Sequence, residues 1–283
     1  MGATDVCPLI PISGITMEET VVYAKKLGKR VGEELHIPVY LYENAAQQAD
    51  RQNLATIRAG EYEGFADKIK DPHWVPDFGE AVFNVRSGAT VIGARDFLVA
   101  YNVNLNTTST RRANSVAFDL RENGRVKELN GKKVIDEHGV EVRELGLLKS
   151  VKAIGWFIEE YGIAQISMNL TNINITPLHI AFDTAVERAH ARGMRVTGSE
   201  LVGLVPLKSM IDAGKYFLQK QRRSVGVSEE EIIRIAIKSM GLDELTPFDP
   251  KKKIIEYVMN DGQAKRLIDM NLVAFANETA SES

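Results

Sequence analysis

Cysteine is almost missing from these 283 residues: Cys7 stands alone. An intrachain disulfide framework and a multi-cysteine zinc site are therefore excluded, and the usage fits a reducing cytosol. Long apolar runs are missing as well, since none approaches the roughly 18 residues that a membrane-spanning helix needs. The opening MGATDVCPLIP has no positive region followed by an apolar core, so it does not read as a secretory signal, and Val6 stands where an N-myristoylation signal wants Ser or Thr. Nor is there a surplus of one charge. The 35 basic and 38 acidic residues leave a net charge of -3, which supplies no global field for DNA, RNA or an acidic membrane and leaves only local clusters to hold a small anion. Phosphate-loop, dinucleotide, nucleophile-elbow and His-Glu-x-x-His signatures are all absent. What remains is ordinary globular composition, 44% hydrophobic and 26% charged, in a chain long enough to bury about three-quarters of its extended surface in one large or two medium domains.

Patterning supplies the organisation. Val6, Cys7, Leu9 and Ile10 read as a strand, with Pro8 and Pro11 limiting it or holding it at a sheet edge. A chain that opens this way starts in mid-sheet. Thr16 and Glu19 have capping-box spacing, and Val21, Val22, Tyr23, Leu27, Val31 and Leu35 predict the apolar stripe of a helix. A short strand follows at 39–42, then a weakly helical stretch to residue 57. Residues 60–88 are dense in Gly, Pro and Asp and read as loop, with Trp74 and Phe78 as anchors. Ala89 opens a second unit: a strand-rich run at 91–105, a helix at 110–120, a polar insert punctuated by three Asn-Gly or His-Gly pairs, strands at 151–157 and 163–170, a helix at 176–192 and a strand at 194–197. This β-α-β-β-α-β order is the ferredoxin-like pattern, although residues 147–161 also admit a helix. Further helices are expected at 207–221 and from Ser228 to a stop at Gly241, followed by apolar stretches at 254–259 and 267–275 and a linker-like end. The expected division is 1–88, 89–227 and 228–283. The expected fold class is α+β, with two ferredoxin-like-related subdomains of which the first is incomplete.

Three segments combine residue types that bind ligands. Arg58, Gly60, Tyr62 and Gly64 put a guanidinium and an aromatic face at a turn, suited to a carboxylate or a stacked ring; a helix C-cap with surface charge explains the same letters. Arg86, Ser87, Gly88, Gly93 and Arg95 offer close backbone approach and two arginines for an anion, or a bulge at a strand entry. In the run from Gly198 through Glu200, Gly203 and Pro206 to Lys208, a strand empties into a loop and then a helix, whose first N–H groups suit a carboxylate while Glu200 suits an amine; a packing turn is the alternative. His73 beside Trp74 is an acid or base candidate or a surface donor. His179, Asp183 and Glu187 share a helix face, more in keeping with solvated charge than with a metal. Asn102, Asn104 and Asn106 alternate onto one strand face, which is natural if that face lines a polar cleft and costly if it is dry.

The blocks DVCPLIP, IPVYLYE, RAGEYEG, PDFG, GATVIGARDFLVAYNVNL, VKAIGW, AQISMNLTN and GSELVGLVPLKSM together resemble the formiminotransferase domain of the glutamate formimidoyltransferase family, including its bifunctional formimidoyltransferase-cyclodeaminase members. The resemblance runs over residues 1–275. It implies transfer of the formimino group from N-formimino-L-glutamate to N5 of tetrahydrofolate in cytoplasmic histidine degradation, by two α/β subdomains with a cleft between them and as a homodimer. Tetrahydrofolate is then a cosubstrate, with no metal and no covalently bound cofactor. Carried over, Phe83, Val85, Arg86, Ser87, Gly88 and Ala89 line the folate site, and Arg95 is a second anion partner. The family's catalytic histidine precedes its Met-Gly-Ala block, upstream of Met1, so no residue here inherits that role and little or no transfer is expected of the chain as it stands. The resemblance likewise places the opening strands of the first sheet upstream; in the family's fused form a cyclodeaminase domain follows the segment matching the end of this chain, so deamination is not expected of these residues.

Overall fold

The computed structural model describes residues 1–260; the apolar stretch expected at 267–275 and the linker-like end lie outside the described residues. It is a mixed helix-and-sheet α+β chain in two units, Met1–Phe97 and the remainder from Leu98.

In the first unit, strands β1 (Val6–Leu9), β2 (Val39–Glu43) and β3 (Thr90–Ala94) form a sheet of order β1-β3-β2 with both pairings parallel. Pro8 is tolerated because β1 is an edge strand, where the missing N–H interrupts no second ladder. Helix α1 (Met17–Glu34) is closed by the expected capping box: the Glu19 N–H donates to Thr16 Oγ1 (3.2 Å) and the Thr16 N–H to Glu19 Oε2 (2.8 Å). Its buried face corrects the expected stripe. Thr20, Ala24, Gly28 and Gly32 are buried, while Val22, Tyr23 and Leu35 are exposed. Small residues are needed because the chain at Phe78 and Gly79 crosses α1 so closely that a Cβ on Gly32 would overlap the backbone of both. Val21, Leu27 and Val31 pack at the margins of that contact.

Between β2 and β3 the chain makes only short turns of helix, among them α2 (Leu54–Arg58) and α3 (Phe65–Lys68). A buried ion pair organises them. Arg51, 1% exposed, donates from Nη1 to Asp77 Oδ2 (3.1 Å) and from Nη2 to the carbonyls of His73 (2.8 Å) and Val75 (3.0 Å). Asp77 Oδ2 also accepts the Leu41 N–H at 2.8 Å. The Tyr40 and Trp74 rings flank the guanidinium at 5.3 and 5.6 Å. Burial pushes the Tyr40 hydroxyl well above the usual tyrosine range, and it donates to the Trp74 carbonyl at 2.6 Å.

The second unit is built on β4 (Val99–Leu105), helix α4 (Thr110–Leu120), β5 (Val151–Ile158), β6 (Ile163–Leu170), helix α5 (Leu178–His190) and β7 (Val196–Val202). The strands run in the order β7-β4-β6-β5, antiparallel throughout. Tyr101, Val103, Leu105, Ile166 and Met168 enter one core with Ala113, Val116 and Leu120 of α4 and Leu178, Ala181 and Ala185 of α5. Residues 147–161 therefore contain a strand, not a helix, and their buried positions 151, 153 and 155 alternate with exposed ones. The polar insert forms short hairpin ladders, in which Asn130 and Gly131 turn at φ 53° and 75°.

Three expectations shift. The run at 91–105 is two strands, since β3 is the centre of the first sheet and β4 belongs to the second; the units divide after Phe97 and not at Gly88. A fully buried parallel strand is an uninterrupted apolar run, so it looks the same whether it closes one domain or opens the next. The last strand does not end at Thr197 but continues through Gly198, Ser199 and Glu200. Among the described residues, those that follow Ser228 are no appendage: α6 (Leu207–Lys220) packs on α7 (Glu229–Met240), and Ile232, Ile233, Ala236 and Met240 enter the core of the second unit.

Candidate functional site

The segment before β3 is folded by one asparagine. Asn84 Oδ1 accepts the N–H groups of Arg86 and Ser87, both at 3.1 Å, while its carbonyl accepts the Gly88 N–H at 2.7 Å. Gly88 has φ 65°, and a Cβ there would overlap the Met1 carbonyl, because residues 1–5 run alongside. The Ala3 N–H donates to the Ser87 carbonyl (3.0 Å), and the Ala89 N–H to that of Met1 (3.2 Å). Phe83 is anchored against Tyr62 and Phe65, with ring centroids 5.4 and 5.9 Å away, and Tyr62 Oη donates to the Val85 carbonyl at 2.7 Å. Val85 is 72% exposed and Ala89 fully buried. The Arg86 side chain is exposed and has no ion pair or side-chain hydrogen bond among the described residues. This arrangement brings Tyr62 of the Arg58–Gly64 segment onto residues 83–89. Arg58 pairs with Asp5, a residue that sequence patterning did not single out. Arg58 Nε and Ser87 Oγ are buried atoms without a hydrogen-bond partner, as is the Thr90 hydroxyl, and Asp5 Oδ1, also without a hydrogen bond, lies 3.6 Å from the Met1 amino group. An exposed guanidinium, an anchored aromatic ring and unsatisfied donors and acceptors suit a ligand with a ring and an anionic end.

Arg95 is not part of that cluster. It follows β3 at the opposite end, roughly 20 Å from Ala89 at about 3.3 Å per residue. There its Nη1 donates to the Asp96 carbonyl at 2.9 Å. Burial raises the Tyr42 hydroxyl, and the charge of Arg95 opposes that rise. His73 Nε2 lies 2.6 Å from Asp50 Oδ2 and holds that carboxyl below its ordinary range. Burial raises the Cys7 thiol, which disfavours the thiolate a nucleophile requires. On α5, Asp183 Oδ2 accepts from Tyr216 Oη and Lys220 Nζ, both at 2.5 Å, while His179 stacks on the Tyr216 ring at 4.5 Å. No group of three His, Cys, Asp or Glu side chains suited to a metal occurs among the described residues.

On β4 the asparagine alternation leads to a polar network. Asn102, Asn104 and Gln165 are all buried. Trp156 Nε1 donates to Gln165 Oε1 (3.1 Å); Gln165 Nε2 donates to Asn104 Oδ1 (2.7 Å) and reaches Glu200 Oε2 at 3.5 Å. Asn104 Nδ2 donates to Glu244 Oε2 (2.6 Å) and Asn102 Nδ2 to Glu200 Oε2 (3.3 Å). The start of α6, expected to take a carboxylate, already holds one: the Leu207 N–H donates to Glu256 Oε2 at 2.7 Å. Glu244 and Glu256 escaped sequence reasoning because both lie far along the chain from their partners.

These features define a class: a two-unit α+β protein with an anion-suited loop on its first sheet and a carboxylate-bearing polar network on its second. Residues 100–260 match the family model of the formiminotransferase domain, and residues 1–95 that of its N-terminal subdomain. The chain belongs to the formiminotransferase domain family. It is 46% identical over 284 residues to formimidoyltransferase-cyclodeaminase of Mus musculus, covering 100% of this chain and 49% of that protein. It is 40% identical over 219 residues to glutamate formimidoyltransferase of Streptococcus pyogenes serotype M1, covering 77% of this chain and 66% of that one. Against the Thermoplasma acidophilum glutamate formimidoyltransferase the identity is 43% over 220 residues, 77% of this chain and 65% of the relative. The chain thus spans about half the length of the bifunctional relatives it matches.

Proposed function

We propose that the chain is the formimino-transferring part of such an enzyme, moving the formimino group of N-formimino-L-glutamate to N5 of tetrahydrofolate and releasing glutamate, in histidine degradation. The observation that carries this reading is the match of both formiminotransferase subdomains along residues 1–95 and 100–260. Residues 83–89 are the folate-contacting segment. In it, Phe83 and Tyr62 offer the ring surface, Arg86 meets the anionic end, and the backbone at Ser87, Gly88 and Ala89 admits close approach beside Val85. Arg95, at the far end of β3, is a second anion partner outside the loop. Transfer requires N5 to attack the formimino carbon while an acid protonates the departing nitrogen, and holding the two substrates together supplies much of the rate. Tetrahydrofolate is a cosubstrate, and no covalently bound cofactor is called for by this chemistry. The four-stranded sheet of the second unit, with helices on one face, reads as ferredoxin-like. No described helix is long and apolar enough to cross a membrane; a cytoplasmic homodimer is the form proposed.

A second reading, a folate-binding protein without turnover, draws on the described histidines: His73 is engaged by Asp50, and His179 is packed on Tyr216 in the other unit. Two measurements test the loop and then separate the readings. Calorimetric titration with a reduced folate tests the loop: replacing Arg86 by Ala is expected to weaken binding by about 1–3 kcal/mol through loss of a charge-assisted hydrogen bond. Replacing Lys252, in a surface lysine run, should leave binding unchanged, and equal affinities for the two variants would remove Arg86 from the site. Glutamate release in the presence of tetrahydrofolate then decides between transfer and binding alone.

A further inference from the structure

The face of the second sheet turned away from α4 and α5 carries side chains in cross-strand rows. Glu200, Asn102, Ser167 and Ile154 form one, and Gly198, Asn104, Gln165 and Trp156 the next. Ile154, Trp156 and Val202 on this face are 53%, 39% and 51% exposed, so it is open to solvent above a floor of buried amides. Those amides hydrogen-bond two carboxylates and neutralise neither. Asp119, Asp183 and Asp77 each sit against a cation, whereas Glu200 and Glu244 have amide donors and no ion pair among the described residues. Glu200 is half-buried, and the amides of Asn102 and Gln165 approach the same oxygen, Oε2. That engages Oε2 and leaves Oε1 without a donor among the described residues.

We propose that Glu200 receives the cationic formimino end of the donor substrate, an assignment that rests on the transfer reading above. A formimino group attached to nitrogen is a formamidine; protonated at neutral pH, it is a planar cation whose N–H donors suit a charge-assisted hydrogen bond to the open Oε1. Neutral amides orient Glu200 without cancelling its charge, so the site attracts a cation and repels the two carboxylates of the glutamate moiety. The second negative charge, Glu244, is held one row away through Asn104 and acts in the same sense. Lys152 lies on the same face, one cross-strand row from that of Glu200, but on the opposite edge strand with β4 and β6 between them, and the two make no ion pair. A formyl group in place of formimino has the same shape but presents an oxygen to Glu200, so the carboxylate discriminates by repulsion as well as attraction.

Trp156 reports on this site because its indole N–H is linked to Glu200 through Gln165. The chain has two tryptophans, Trp74 and Trp156, so its NMR spectrum has two indole signals, and Trp156→Phe assigns them. Titration of the whole chain with formamidinium is expected to move the Trp156 signal and leave that of Trp74 in place, with methylammonium giving a smaller shift and formamide none. By calorimetry, N-formimino-L-glutamate is expected to bind about tenfold or more tighter than N-formyl-L-glutamate, and Glu200→Gln to bring the two within about twofold, consistent with loss of a charge-assisted bond. Glu200→Asp keeps the charge but withdraws it by one methylene, and should retain part of the preference; urea midpoints confirm that both variants fold. Equal binding of the two ligands by the unaltered chain, or a preference that survives in Glu200→Gln, would overturn the assignment. Reduced folate binding distinguishes the causes: if folate binds and the preference survives without Glu200, the assignment falls and the transfer reading stands, whereas loss of both ligands in the unaltered chain defeats both.

Discussion

In the first unit the bulkiest fully buried side chain is an arginine, Arg51, which closes on a buried aspartate and two carbonyls. In the second unit the buried polar groups of the sheet are Ser199 and the neutral amides Asn102, Asn104 and Gln165, while the carboxylates that the amides serve stand nearer solvent. The difference follows from what each must hold. The stretch between β2 and β3 has little regular structure to pair its backbone, and a guanidinium with five donors can gather carbonyls from several turns at once. Antiparallel strands already satisfy their own backbones, so side-chain polarity on that sheet is available for a ligand. One buried charge is therefore structural, paired with Asp77 although its Nε has no hydrogen-bond partner, and in the other network Glu200 Oε1 has no donor among the described residues.

The largest expected effect breaks the first arrangement. Arg51→Met leaves Asp77 buried without its cation and should destabilise the first unit by about 3–5 kcal/mol. Hydrogen exchange read by segment is the appropriate measurement, with amides of β2 and β3 losing protection while those of β4 and β6 keep theirs. Adding Asp77→Leu should recover a good part of the loss, because the uncompensated charge disappears. Equal loss of protection in both units would show that Arg51 supports more than the segment it contacts.

A smaller effect is expected from the amide network. Asn104→Leu keeps the number and branching of side-chain heavy atoms, yet it strips Glu244 of its 2.6 Å donor and Gln165 Nε2 of its nearer acceptor. The expected cost is about 1–3 kcal/mol, the range for leaving buried polar groups unpaired, read as a lower urea midpoint with β4 and β6 exchanging faster. Asn102→Leu should cost less, because its bond to Glu200 is longer at 3.3 Å. If the two substitutions cost the same, the network is not ordered by its hydrogen bonds in the way described.

These two contrasts also mark what was legible in the letters. The capping box at Thr16, the Ser228 cap and the alternation of Asn102 and Asn104 are local signals, and each is present in the structure. Arg86, Ser87 and Gly88 were singled out by residue type, and Phe83, Val85 and Ala89 through family resemblance; the turn chemistry of the segment is visible in Asn84 and Gly88. Arg51 was not legible, because an Asp-Arg pair in a weakly helical stretch looks like surface charge until the chain returns with Asp77. Glu244 and Asp5 are similar cases, since long-range pairing has no local periodicity to betray it. The α1 stripe failed for a different reason: apolar spacing identifies a helix, but the close crossing at Phe78 selects small residues for its buried face.

The smallest expected effect is a pH dependence confined to the second unit. His179 lies buried on α5, stacked on Tyr216, with Nδ1 unpartnered, and desolvation holds its pKa below the ordinary histidine value. Asp212 and Asp183 oppose that depression and Lys208 adds to it. In the unfolded chain the imidazole titrates near its ordinary pKa of about 6.5. As pH falls below that value the unfolded state takes up a proton before the folded state does, so stability is lost with acidification until the folded pKa is passed, and is fully present above the unfolded pKa. Thermal unfolding between pH 7.5 and 5 should accordingly show a steeper decline for the unaltered chain than for His179→Phe, which keeps the ring against Tyr216 and removes the titration. Exchange in β4 and β6 should follow the same trend, while the Arg51–Asp77 region of the first unit should be indifferent to the substitution. Identical pH slopes for both chains would mean that His179 titrates alike folded and unfolded.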